Sequence, residues 1–243
     1  MPAARRAILL LALLLAPVAC RPAEEPPPVP VPPATTGAGR NLAMGTGEAL
    51  APAPFTLEDR YLEAARQGDR RTLEIALERG VPLETKDDLG RSALMLAARD
   101  AGSLELLRFL RERGAAVDEP DVGGRTALSW AAGEGRLEIV RELAAQGARV
   151  HSRDADGRSP LFHAVGAGQL EVADFLIARG ALLDEGDRFG DTPLILACAK
   201  GHDRLAALLL ARGADPAIRD QEGRTARERA APEAPACREG AAS

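Results

Sequence analysis

From Thr56 onward, apolar residues recur in paired short helical patterns with polar loops between the pairs. In the stretch DADGRSPLFHAVGAGQLEVADFLIARGA, Leu161, Ala164 and Val165 fall at helical spacing and Gly168 breaks the run. Leu170, Val172, Ala173, Leu176 and Ile177 then mark a second helix that stops at Gly180. Ser159 carries the side-chain oxygen that an N-cap needs, and Pro160 suits the first helical position. Gly180 suits the left-handed conformation that closes a helix. Each helix is expected to run about three turns and to be apolar on one side, so one pair alone is marginal. Stacked copies cover each other's apolar faces, and the pattern must therefore repeat.

It does repeat. Glycines that follow Asp-x-x stand at Gly90, Gly124, Gly157, Gly190 and Gly223, spaced 34, 33, 33 and 33. Gly80, Gly114, Gly147, Gly180 and Gly213 show the same spacing. The extra residue falls between Ala97 and Gly102, and it is expected in the turn after that helix. The frame divides the chain into an N-terminal capping unit at 56–87, repeats at 88–121, 122–154, 155–187 and 188–220, and a terminal half-repeat at 221–231. The half-repeat is expected to be a loop and one charged helix ended by Pro232, and 232–243 a disordered tail.

The units resemble ankyrin repeats, whose hallmark is Gly-x-Thr-Pro-Leu-His-x-Ala-Ala, then Gly-His and Leu-Leu-x-x-Gly-Ala. Gly190, Thr192, Pro193, Leu194, Ala197, Gly201, His202, Leu208, Leu209, Gly213 and Ala214 form the closest unit, and the resemblance covers about two thirds of the chain. Met95, Ser129, Phe162 and Ile195 stand where the family has histidine, so apolar packing is expected to replace some of its hydrogen bonds. The resemblance implies an all-α solenoid of helix-turn-helix units with β-turn fingers. It also implies a protein partner held on a concave surface made of finger tips and first-helix ends. Residue by residue, that surface comprises Asp88, Leu89, Arg91, Arg99, Asp100, Val122, Arg125, Glu134, Asp156, Arg158, Arg188, Phe189, Asp191 and Lys200. Arg91, Arg125, Arg158 and Arg224 form an in-frame row interrupted by Asp191, which a partner's carboxylates could use. Reversing the first three to Glu is expected to weaken capture and leave the fold intact.

The first 55 residues follow other rules. MPAARRAILLLALLLAPVAC has two arginines, a short apolar run and small residues before Cys20, the layout of a secretory signal (1–20) too short to span a bilayer. Ala19-Cys20 resembles the lipobox of bacterial lipoproteins, which implies lipid on Cys20 and anchoring in the cell envelope; Pro17 departs from the aliphatic residue usual there. Simple cleavage near Ala19 is the alternative. Residues 21–55, dense in Pro, Gly and Ala, are expected to form a disordered tether.

Composition narrows the chemistry. Net charge is -5, and loss of the first twenty residues removes Arg5, Arg6 and no acid, leaving -7. With aromatics at only 3%, nucleic-acid binding is not expected. His151, His163 and His202 lack metal-ligand spacing, and neither a phosphate loop nor paired zinc cysteines occur, so no cofactor, metal or catalytic residue is assigned. Asp87, Asp121, Asp154, Asp187 and Asp220 recur in frame as turn formers. Trp130 is expected in the core and Phe189 on a finger. Export would permit a disulfide between Cys198 and Cys237, but a buried helical site for Cys198 argues against it. The expected role is a non-enzymatic, monomeric binding module. Neutralisation of a toxin or enzyme, and assistance to an exported stress-response enzyme, are the alternatives.

Overall fold

Hydroxyl side chains open the first helix of every unit. The computed structural model describes residues 56–232 and 235–239, within one unit, Pro52–Ser243. The signal, Cys20 and the tether to residue 55 lie outside the described residues. The first helices are α1 (Leu57–Gln67), α3 (Ala93–Leu96), α5 (Ala127–Gly133), α7 (Pro160–Gly166) and α9 (Pro193–Ala199). Thr56, Ser92, Thr126, Ser159 and Thr192 cap them by accepting from a backbone N–H three residues on. The second helices are α2 (Arg70–Glu78), α4 (Leu104–Glu112), α6 (Leu137–Ala145), α8 (Leu170–Ala178) and α10 (Asp203–Ala211), and a short α11 spans Pro235–Glu239. Most first helices have 7 residues and the second helices 9, so they are nearer two turns than the expected three.

Repetition builds a continuous core. Leu94, Leu128, Leu161 and Leu194 of the first helices and Leu106, Ile139, Val172 and Leu205 of the second are all buried in one core. Alanines such as Ala97, Ala131, Ala164 and Ala197 let neighbouring first helices pack closely. Met95, Ser129, Phe162 and Ile195, in the family's histidine slot, are buried too. Among them Ser129 keeps a polar contact, with Thr126 at 3.3 Å.

The loops dock on one another through the backbone. Val122 N–H donates to Leu89 O (3.0 Å), Ala155 to Gly123 (2.8 Å), Arg188 to Asp156 (2.7 Å) and Gln221 to Phe189 (2.9 Å), joining successive fingers. Gly124 serves this junction twice: its φ of +78° favours glycine, and a Cβ there would lie 2.9 Å from the Ala155 nitrogen.

Three local expectations require correction. The extra residue of the first repeat is absorbed within the helix, as a π-helical segment Ala97–Ala101 that continues α3 and ends at Gly102, rather than in the turn that follows. Residues 226–229 of the terminal half-repeat form a hydrogen-bonded turn, not a helix, after Thr225 bridges to Arg219, and Ala231 N–H goes to Cys198 O (2.9 Å) instead of continuing a helical ladder. The tail is not loose throughout: α11 packs on α10, and Cys237 is joined to Cys198 by a disulfide. The bond is compatible with a buried Cys198 because the tail comes to it.

Candidate protein-binding groove

The in-frame aspartates do more than shape turns. Each Oδ1 accepts the backbone N–H four residues on, from Arg91, Arg125, Arg158, Asp191 and Arg224. Each Oδ2 then faces a cation or an N–H donor. Where the residue nine positions on is polar, it is that donor: Trp130 Nε1 to Asp121 (2.9 Å), His163 Nε2 to Asp154 (2.8 Å) and Arg229 Nη1 to Asp220 (2.7 Å). Where that position is Leu96 or Leu196, an arginine from earlier in the chain, 21 or 29 residues before the aspartate, reaches it: Arg66 to Asp87 (3.0 Å) and Arg158 to Asp187 (3.3 Å).

This pairing occupies the arginine row. Arg91 is only 8% exposed, its Nε donating to Asp87 at 2.8 Å. Arg125 reaches His163 (Nη2 to Nδ1, 2.6 Å) and stacks on Trp130 with its Cζ 4.2 Å from the ring centroid. Arg158 pairs with Asp187 and with Asp156 (3.2 Å), and Arg224 with Asp220 and Glu222. The row expected to face a partner's carboxylates is thus neutralised by the chain's own. Reversing Arg91 would place two carboxylates side by side, so the expectation of an unaffected fold does not survive there.

His163 is enclosed by the same network. Burial, then the neighbouring Arg125 guanidinium, push its pKa down to about 4 against the opposing pull of Asp154. It is therefore neutral near pH 7. With Nε2–H donated to Asp154, Nδ1 is left to accept from Arg125, which assigns the tautomer.

Between the finger tips and the ends of α5, α7 and α9 lies a groove of about 540 Å³. It gathers Arg125, Glu134, Arg158, Phe189, Asp191 and Lys200 from the residues expected at the binding surface. Trp130, Phe162, His163, Asp187 and Leu196 complete its walls, and sequence reasoning had not placed them there. Trp130 packs against the core as expected, but is half-buried and shares the groove wall. Lys200 Nζ donates to Gly166 O at the end of α7 (2.7 Å), and Asp191 pairs with Arg229 (3.1 Å).

The remaining expected residues lie outside the groove. Arg99 stacks on Trp130 (4.7 Å) and pairs with Asp100 (3.3 Å), both on the π-helical segment. Asp88 is exposed beside Leu89, and Asp156 pairs with Arg188 (2.8 Å), whose guanidinium lies over Phe189 (4.7 Å). Leu89, Val122 and Phe189 stand 56%, 77% and 43% exposed. The finger side thus presents protruding apolar side chains between guanidiniums that already have partners.

Among the described residues no group of three or more His, Cys, Asp or Glu is placed to hold a metal ion, and no helix is long and apolar enough to cross a membrane. No curated protein matches the sequence. A family model, Ankyrin repeats (3 copies), matches residues 62–154 and 146–220. Ankyrin repeats generally mediate protein–protein interaction and are typically non-enzymatic. A match over more than half of the chain, on a structure that repeats the same capped helix pair and finger, makes this chain a member of the ankyrin-repeat family.

Proposed function

We propose that this chain is a monomeric, non-enzymatic binding module of a bacterial cell envelope, tethered by lipid on Cys20, which holds a protein partner along its finger tips and adjoining groove. The observation that carries the binding reading is the exposure of Leu89, Val122 and Phe189 in a region where the arginines are internally paired. An isolated exposed apolar residue is ordinary. Three on successive or nearby fingers of a stitched array offer a partner apolar area at fixed spacing. Recognition then rests on apolar burial, with charge setting orientation, and depends little on salt.

Export is supported by the layout of residues 1–20 and by the Cys198–Cys237 disulfide, since such bonds persist in oxidising compartments. Replacing Cys20 by Ser is expected to abolish labelling by a radioactive fatty acid; a chain found in the cytoplasm with Met1 intact would reject both export and anchoring.

The binding reading is tested by capture from a membrane-enriched fraction, comparing the wild type with a Leu89→Ser/Val122→Ser/Phe189→Ser variant and with an Ile75→Ser control on α2. The expected result is a species retained by wild type and control and lost by the triple variant, at both 50 mM and 500 mM salt. Equal retention by all three would move the site off the fingers.

A further inference from the structure

After the last repeat, the half-repeat brings no helix pair to cover α9 and α10. The half-repeat after Asp220 supplies a finger and a few turns, with Ala226 as its buried apolar anchor. A solenoid end of this kind needs a cap, because α9 and α10 have no following unit to complete their packing. The segment that returns to them is α11, and on its own it is weak. Five residues make little more than one helical turn, far below the length at which a helix persists unaided. Its noncovalent ties include packing on α10, a hydrogen bond from Ala236 N–H to Asp203 Oδ1 at 2.7 Å at the start of α10, and one from Ala231 N–H to Cys198 O just before it. The strong tie is covalent, from Cys237, 5% exposed, to Cys198, fully buried in α9.

We propose that the Cys198–Cys237 disulfide is a redox latch that holds α11 over the C-terminal end of the array, so that the last repeat is fully ordered in the oxidised protein and opens when a dithiol reduces the bond. In that step the dithiol's two S–H bonds break and its sulfurs join. The Cys198–Cys237 bond breaks, and each cysteine gains one hydrogen. Two electrons pass from the dithiol to the protein, and its own disulfide is the by-product. Because both sulfurs are buried, the dithiol gains access only when the segment lifts. Once reduced, the segment has lost its covalent tie, and a helix of five residues does not persist on noncovalent contacts of this size.

The test uses the full chain prepared from an oxidising compartment. Tryptic digestion without reductant is expected to yield peptide 189–200 linked to peptide 230–238. Hydrogen–deuterium exchange is then compared with and without dithiothreitol, and for Cys237→Ser and Cys237→Ala. Reduction is expected to raise uptake at least tenfold in 226–239 and measurably in α9 and α10, with α1 to α4 unchanged. Both variants should show the reduced pattern from the start and ignore dithiothreitol. Two free thiols at Cys198 and Cys237 in the purified chain would overturn the proposal, as would identical uptake before and after reduction. A uniform rise over all repeats would also overturn it, since the bond would then support the whole fold and latch no end.

Discussion

At the scale of single residues, burial decides which polar groups serve the fold and which are left for a partner. His163 is neutral in the folded chain down to about pH 4, whereas its unfolded counterpart takes a proton near 6.5. Between those values the unfolded state binds more protons, so stability falls as pH falls through that window and is independent of this group outside it. The amplitude is about 3 kcal/mol. Urea melts at pH 7 and 4.5 are expected to show about 2 kcal/mol of that loss in the wild type, and a much smaller one in His163→Gln. Leu161, with no exposed surface, is expected to lose roughly 2–5 kcal/mol on truncation to Ala. Arg91→Glu, which a surface reading would rate as harmless, is expected to cost about 3 kcal/mol because a second carboxylate would face Asp87 in a half-buried site where only Arg66 remains to pair with it. The buried leucines were legible in the sequence because helical spacing alone places them. The arginine pairing was not legible from the row by itself. Its signal lay in a second spacing, an in-frame Asp with Trp130, His163 or Arg229 nine residues on, which acquires meaning only when loop and helix are seen to meet.

Among the helices, capping is uniform in the first series and mixed in the second, where Asp69 caps α2 and Ser103 caps α4 by accepting from Leu106 N–H (3.2 Å). First helices carry hydroxyl caps, whereas α6, α8 and α10 begin at Arg136, Gln169 and His202 with no side-chain cap. Asp69 holds the equivalent place before α2 and accepts from Thr72 N–H (3.1 Å), with backbone angles close to those of Arg136. Arg136→Asp is therefore expected to add about 1 kcal/mol to stability by denaturant melt, since the backbone already has the required geometry. No gain would mean that the last unit to unfold does not include α6. Helix existence, order and most boundaries could be read from the glycine series and the apolar spacing. The π-helical segment could not, because a one-residue insertion fixes the length between Ala97 and Gly102 but not whether helix or turn absorbs it. Nor could α11: five residues containing a proline have no periodicity to detect, and only the bond from Cys237 reveals where they go.

For the molecule as a whole, each unit leans on its neighbours through shared core and joined fingers, so the ends are its weak points. Closing a loop across a sequence separation of 39 should make the Cys198–Cys237 bond worth about 2–4 kcal/mol to the last repeat, and Cys237→Ser is expected to lower the local stability of that repeat by that amount, read by native-state hydrogen exchange. The central claim remains that the finger side, with its protruding Leu89, Val122 and Phe189, holds a protein. Its most direct test is photocrosslinking in cells, with benzoylphenylalanine at position 122 or 189, and at position 75 on α2 as an exposed apolar control. The account predicts the same discrete adduct from positions 122 and 189 and none from 75. An adduct formed equally well from 75, or from 75 alone, would contradict it.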